Sequence, residues 1–234
     1  NAESVVLLNL SEDHMDRYPS KIAYLQAKQR IFREAKNIIV NDDEPLSAPL
    51  VNSSMKLTHF GLQSNDLNKF SVLMKDGERY LAKGFECLIP VNELAIRGEH
   101  NISNALAALA LGSSVNIAMP AMLEALKDFK GLPHRCQLVR SIAGTDYVND
   151  SKGTNPGSVV TALNSLGKDI TGKVVLIAGG DSKGADLSAL SEPVKLYVKA
   201  LILIGVDAEK FESLLGPLTS IYKVESMADA VRKA

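Results

Sequence analysis

The sequence predicts an α/β protein of two domains, the second built on a doubly wound parallel sheet. Three observations carry that prediction. After about residue 150, short apolar strand-like runs alternate with helical stretches, the pattern that makes parallel βαβ units. Gly131-Leu132-Pro133 breaks the periodic pattern between two such regions, which sets a first domain at 1–130 and a second at 131–234. The 234 residues are 46% apolar, which supports a sizeable core and argues against wholesale disorder.

Taken in order, residues 5–10 are β-branched and leucine-rich without polar alternation and read as a buried strand. Tyr18-Pro19-Ser20 starts a helix over 21–36, with Ser20 as its cap. Residues 37–40 form a second short buried strand. Residues 55–91 change character: runs at 55–60, 70–75 and 80–82 are broken by Gly and Asn-Asp, and Lys75-Asp76-Gly77-Glu78 is a hairpin turn, so a small antiparallel sheet is expected. Helices follow at 101–111 and 120–129. Beyond the boundary, 137–142 and 146–148 make a hairpin through Ala143-Gly144-Thr145. Then come a helix at 159–166, a strand at 173–178, mostly helix over 187–200, a strand at 201–204, a helix at 208–215, a strand at 221–224 and a last helix from 226.

Composition excludes several functions. Lys+Arg is 26 against Asp+Glu 27, a formal net charge of −1 that lacks the basic excess of a general nucleic-acid binder. No run of 18 apolar residues suggests a membrane span. The 5% aromatic share without Trp argues against a sugar-stacking lectin or a single-strand binder. Cys87 and Cys136 cannot by themselves frame a disulfide scaffold or a zinc site, and a reducing cytoplasm is the natural setting. The chain opens at Asn1 without Met or signal peptide, and its last helix stops without Gly or Pro, so a piece of a longer protein is expected.

Several segments carry candidate chemistry, each with a plainer alternative. On the helix over 21–36, counted at about 100° per residue, Tyr24, Ala27, Ile31, Phe32 and Ala35 form an apolar stripe with Lys28 in its middle. A buried lysine is costly unless paired, neutral or modified; the plain alternative is snorkelling to water. Glu12-Asp13-His14-Met15-Asp16 follows a buried strand, where α/β proteins bind ligands, and its oxygen-rich mix suits Mg²⁺ or Mn²⁺; it could equally be a solvated acidic loop. Asn149-Asp150-Ser151-Lys152-Gly153-Thr154-Asn155 lies between a strand and a helix, fit for an anion or for simple capping. Gly179-Gly180-Asp181-Ser182-Lys183-Gly184 would let backbone approach a ligand, but it is neither a Walker A loop nor G-x-G-x-x-G. Gly167 to Val174 nearly spells a P-loop, yet ends in Val and precedes a strand instead of following one, so it is rejected. Asn101 and Asn104 share a helix face, or else Asn101 is a cap. His134-Arg135 at the boundary could close on a phosphate or merely be solvated.

In their order along the chain these motifs resemble the Mur ligase family. The resemblance rests on Leu8-Asn9-Leu10 through Tyr18, Ala27-Lys28, Gly98-Glu99-His100-Asn101 through Asn104-Ala105, Gly131-Leu132-Pro133-His134-Arg135, Asn149 through Asn155 and Gly179-Gly180-Asp181. The His14-to-Tyr18 run and Gly-Gly-Asp-Ser-Lys favour the branch that adds D-glutamate to UDP-N-acetylmuramoyl-L-alanine. The family implies a cytoplasmic enzyme of peptidoglycan synthesis, monomeric at full length, using ATP and Mg²⁺. A phosphoryl group passes to the substrate carboxylate, the amine of D-glutamate attacks the acyl phosphate, and a tetrahedral intermediate collapses to amide, ADP and phosphate.

The resemblance implies His14 as a Mg²⁺ ligand and Lys28 as a carbamylated lysine that also binds Mg²⁺. It implies Asn101 and Asn104 against adenine, Asp150 on ribose, Lys152 and Arg135 on phosphates, and Thr154 and Lys183 on the D-glutamate carboxylates, with His134 a neighbour of the site. The family's UDP-sugar domain, its Gly-Lys-Ser/Thr P-loop and a Glu metal ligand precede the strand at which this sequence opens, and further D-glutamate contacts follow its end. The expectation is therefore a partial central P-loop-type ATPase domain lacking its P-loop, then a truncated Rossmann-like domain, inactive alone. A related amide ligase of folylpolyglutamate synthase type and a non-catalytic nucleotide- or amino-acid-binding module are the alternatives. A nicotinamide oxidoreductase is disfavoured, because no G-x-G-x-x-G follows a strand.

Overall fold

The computed structural model describes residues 2–10, 17–49, 55–63, 66–96, 98–182 and 184–234. The chain forms two compact units, residues 1–11 with 19–131 and residues 12–18 with 132–234.

In the first unit, six strands make one sheet in chain order: β1 (Ser4–Val6), β2 (Asn37–Asn41), β3 (Lys56–Phe60), β4 (Phe70–Lys75), β5 (Glu78–Lys83) and β6 (Glu86–Pro90). β1, β2 and β3 pair in parallel, and β4 joins β3 in parallel through Phe60 opposite Phe70. β4, β5 and β6 form an antiparallel meander. Between β4 and β5, Asp76 and Gly77 both take positive φ (51° and 80°), as a tight hairpin turn requires. The antiparallel sheet expected at 55–91 is thus only the outer half of a larger mixed sheet. β3 belongs to the parallel half because its Leu57 and Phe60 continue the two apolar faces of β2.

Those faces explain why all five residues of β2 are buried. Ile39 points one way, into a core with Phe60, Phe70, Leu81 and Ile89. Helix α2 (Glu99–Ser114) covers that face with Ala105, Leu106 and Leu109, and α3 (Met119–Asp128) adds Leu126. Ile38 and Val40 point the other way and pack on Phe32. Helix α1 (Lys21–Gln29) is capped by Ser20, whose Oγ accepts the Ala23 N–H at 3.2 Å. It is shorter than the expected 21–36: a 3₁₀ turn takes over at Arg30–Phe32 and Glu34 sits at φ 58°.

In the second unit, β7 (Gln137–Ile142) and β8 (Thr145–Asn149) form a hairpin turning at Ala143 and Gly144, with φ 49° and 79°. Then follow α4 (Pro156–Asp169), β9 (Val174–Gly179), α5 (Ser191–Tyr197), β10 (Val198–Ile204), α6 (Ala208–Leu215), β11 (Ser220–Lys223) and α7 (Met227–Lys233). β11, β10 and β9 lie in that order, all parallel. Leu201, Ile202 and Leu203 on the central strand are fully buried. The helix expected over 187–200 stops at Tyr197, because Val198 is buried opposite Val174 and Ala200 pairs with Val175, which draws this segment into the sheet.

Candidate functional site

The densest grouping of site candidates lies in the second unit, on the linker 134–136 and the loop from β8 to α4. Asn155 caps α4: its Oδ1 accepts the Ser158 N–H at 2.9 Å, Ser158 Oγ receives the Asn155 N–H, and Pro156 fills the first turn. Capping therefore accounts for Asn155. Asp150 does something else: its Oδ1 accepts the Cys136 N–H at 3.0 Å, and its carbonyl accepts the Gly153 N–H at 2.8 Å. Burial pushes the Cys136 thiol up to about 11, and the charge and hydrogen bond of Asp150 add to that rise.

Asn149 is held by Ser151, whose N–H donates to its Oδ1 at 3.0 Å, and meets His134 Nδ1 through its Nδ2 at 2.9 Å. The His134 carbonyl accepts the Lys152 N–H at 3.1 Å. His134 and Cys136 both sit in the left-handed region, φ 65° and 45°, which lets three successive linker residues turn toward the loop. His134, Arg135, Asp150, Lys152 and Thr154 are thereby brought onto two bonded segments. Arg135, Lys152 and Thr154 are exposed, and neither cation has an ion pair among the described residues.

In the first unit, Asn101 and Asn104 lie in the opening turns of α2, Asn104 Nδ2 reaching Asn101 Oδ1 at 3.5 Å. The cap of that helix is Gly98 at φ 94°, so Asn101 is not a cap. Asn104 borders an apolar cleft of about 750 Å³ whose walls include Ile96, Ala108, Val115, Met122 and Phe129. Arg79 clamps Glu99 with both terminal guanidinium nitrogens, Nη1 and Nη2, at 2.6 and 3.0 Å, fixing the start of the helix.

Lys28 corrects an expectation. It is exposed, not buried, and its Nζ lies 5.2 Å from the Tyr24 ring centre. Ile31, counted into the same stripe, is 39% exposed. For Ile31 the reason is local: the stripe assumed a regular helix to residue 36, and the 3₁₀ turn ends that regularity at Arg30. His14 and Lys183 lie outside the described residues, as do Glu12, Asp13 and Asp16. Among the described residues no group of three His, Cys, Asp or Glu side chains could hold a metal ion.

The glycines at the ends of β9 and β10 serve a purpose the sequence reading did not foresee. A Cβ on Gly179 (φ 134°) would lie 1.9 Å from the Ile204 carbonyl oxygen, and one on Gly205 would lie 2.7 Å from Gly180 Cα. The close neighbour is the end of β10. Two more residues escaped that reading: Asp207 Oδ2 accepts the Ser182 N–H at 2.6 Å, and Lys210 Nζ donates to Ser182 Oγ at 2.9 Å. Hydrogen bonds from the Ser182 side chain and from its backbone N–H hold the Asp207 carboxyl below its ordinary range; burial opposes them and the Lys210 charge assists. The signal was the place of Asp207 just past the carboxyl end of a buried strand. In the first unit, Lys69 is buried beside Asp42 (Nζ to Oδ2 2.9 Å), and His59 Nδ1 is 2.7 Å from Asp42 Oδ1.

Comparison with known proteins places this geometry. Residues 1–112 match the Mur ligase middle domain, and residues 134–234 match the Mur ligase, glutamate ligase domain. Over all 234 residues the chain is 49% identical to the UDP-N-acetylmuramoylalanine–D-glutamate ligase of Pseudomonas savastanoi pv. phaseolicola, covering 52% of that relative. The chain spans about half the length of the curated relatives it matches. Among solved structures, MurF of Acinetobacter baumannii aligns with a TM-score of 0.75 at 16% identity, over 99% of this chain and 52% of that one. A folylpolyglutamate synthase of Thermotoga maritima aligns with a TM-score of 0.65 at 16% identity, over 99% of this chain and 55% of that one. Likeness at such identities shows the fold alone. The chain belongs to the Mur ligase family, with residues 1–112 in its middle domain and residues 134–234 in its glutamate ligase domain.

Proposed function

We propose that these residues are part of an ATP-dependent ligase that joins D-glutamate to UDP-N-acetylmuramoyl-L-alanine in peptidoglycan synthesis. The carrying observation is the 49% identity, over every residue of the chain, to a relative named for that reaction. The likeness to folylpolyglutamate synthase is one of fold, at 16% identity, and does not compete with it. No described helix is long and apolar enough to cross a membrane, and the cytoplasm is the proposed compartment.

Asp150, with one carboxylate oxygen engaged by the Cys136 amide, offers its other oxygen to the ribose hydroxyls of ATP. Lys152 and Arg135 neutralise phosphate oxygens, and a guanidinium can do so in a bidentate way. Asn101 and Asn104 present amide donors and acceptors to adenine beside an apolar wall. Thr154 and Lys183 take the carboxylates of D-glutamate. His14 and Lys28, the latter as its carbamate, would hold Mg²⁺, and exposure of Lys28 leaves its amine open to that modification. Mg²⁺ would supply screening of the charge on phosphate and carboxylate oxygens.

The test is phosphate release by a full-length ligase carrying this sequence, supplied with ATP, UDP-N-acetylmuramoyl-L-alanine and a panel of amino acids. Turnover with D-glutamate alone is expected, with Lys28→Ala abolishing it and Asp150→Ala raising the KM for ATP. Preference for another amino acid would overturn the substrate assignment, and wild-type turnover in Lys28→Ala would overturn the carbamate. Nucleotide binding without phosphate release would favour the non-catalytic module.

A further inference from the structure

We propose that His134 is a positioning residue for the nucleotide loop, working only as the neutral imidazole with its proton on Nε2. The inference rests on the reading that Asp150 and Lys152 bind ATP. It starts from Asn149. The Ser151 N–H donates to Asn149 Oδ1 at 3.0 Å, so the amide cannot be turned round without setting two donors against each other. Asn149 Nδ2, which only donates, must then face His134 Nδ1 at 2.9 Å. That nitrogen has to accept. Its lone pair is free only in the neutral ring, and the single ring proton sits on Nε2.

The backbone polar groups of His134 are also committed. Its N–H donates to Gln137 Oε1 at 3.1 Å, and its carbonyl accepts the Lys152 N–H at 3.1 Å. The next bond along, Cys136 N–H to Asp150 Oδ1, completes a ladder of three contacts between the linker and the loop. Each rung ends on or beside a residue assigned to the nucleotide: Asn149 precedes Asp150, Lys152 is held through its own amide, and Asp150 through its carboxylate. Protonating His134 turns the rung at Nδ1 into a donor facing a donor.

A direct test needs no catalysis. With the histidines of this chain labelled with ¹⁵N, two-bond proton–nitrogen spectra separate the ring tautomers, and the four histidines can be told apart by single substitutions. His134 is expected as the Nε2–H tautomer at pH 7.5; an Nδ1–H tautomer would overturn the inference. The functional test uses a full-length ligase. His134→Gly keeps the left-handed backbone free of strain and removes only the ring. It is expected to raise the KM for ATP about three- to tenfold, as loss of one hydrogen bond does, and to leave the KM for D-glutamate alone. Asn149→Ala should do the same, and the double variant should be no worse than either single. Additive effects would sink the inference. If Asp150→Ala leaves the KM for ATP unmoved, the nucleotide reading fails instead.

Discussion

Gly179→Ala puts the packing of the second unit to a quantitative test. Gly179 ends β9 at φ 134°, a conformation that side chains rarely adopt, and forcing one into it costs about 1–3 kcal/mol. The new methyl would also sit 1.9 Å from the Ile204 carbonyl oxygen, so β9 and β10 must part at their paired ends. That oxygen accepts the Gly180 N–H at 2.8 Å, and stretching the bond removes about 1 kcal/mol more. Together the terms give a destabilisation of roughly 2–4 kcal/mol, large for one methyl group. Gly172→Ala is the control, because nothing lies within 4 Å of its added Cβ and its φ is not in the left-handed region. It should be neutral or stabilise by about 0.4–1 kcal/mol. Urea unfolding followed by circular dichroism reads the difference, and hydrogen exchange at the amides of β9 and β10 assigns it to the second unit. A Gly179→Ala protein within about 1 kcal/mol of wild type would refute the reasoning and return that glycine to a ligand-facing role.

Two further predictions follow. Burial tends to raise the Asp42 carboxyl, but hydrogen bonds and charges from His59 and Lys69 outweigh it and hold the group below its ordinary 3.8. The folded form thus gains stability that is present above 3.8 and lost as pH falls through the lower folded value, and Asp42→Asn should flatten acid unfolding in that window; parallel wild-type and variant curves would contradict it. Cys136, with its thiol near 11 against an ordinary 9.0, should react with iodoacetamide at pH 8 roughly a hundredfold more slowly than in the unfolded chain. Mass spectrometry of the labelled peptide reads this, and equal rates would show that the thiol is not suppressed.

Features with a local cause were legible in the sequence. The tight turns at Asp76-Gly77 and Ala143-Gly144, the Ser20 cap and the strand-to-helix loop at 149–155 all follow from short-range backbone chemistry. Features decided at a distance were not. β3 pairs with β2 across some twenty residues, and no local pattern distinguishes that parallel pairing from a meander. The Gln29 side chain donates to the Ala48 carbonyl at 2.8 Å, a tertiary bond at the point where α1 gives way to the 3₁₀ turn, and from that turn on Ile31 leaves the expected stripe. Within the site, the residue types could be picked out, but their mutual support could not. The bond from His134 to Asn149 joins positions 15 apart, on the two sides of a hairpin whose register only the fold supplies.

Strand order equals chain order throughout the six-stranded sheet, and this has a kinetic consequence. At the β4–β5 end the first rung joins Lys75 to Glu78, neighbours in the chain, whereas at the other end Ser4 must find Asn37. Loop-closure entropy makes the longer closure dearer by roughly 2 kcal/mol, even on the slow logarithmic scaling of flexible loops. Hairpins form within microseconds, and pairings between distant segments wait on rarer encounters. The meander β4–β6 is therefore expected to form before β1 pairs with β2, an order that pulse-labelled hydrogen exchange during refolding would read strand by strand.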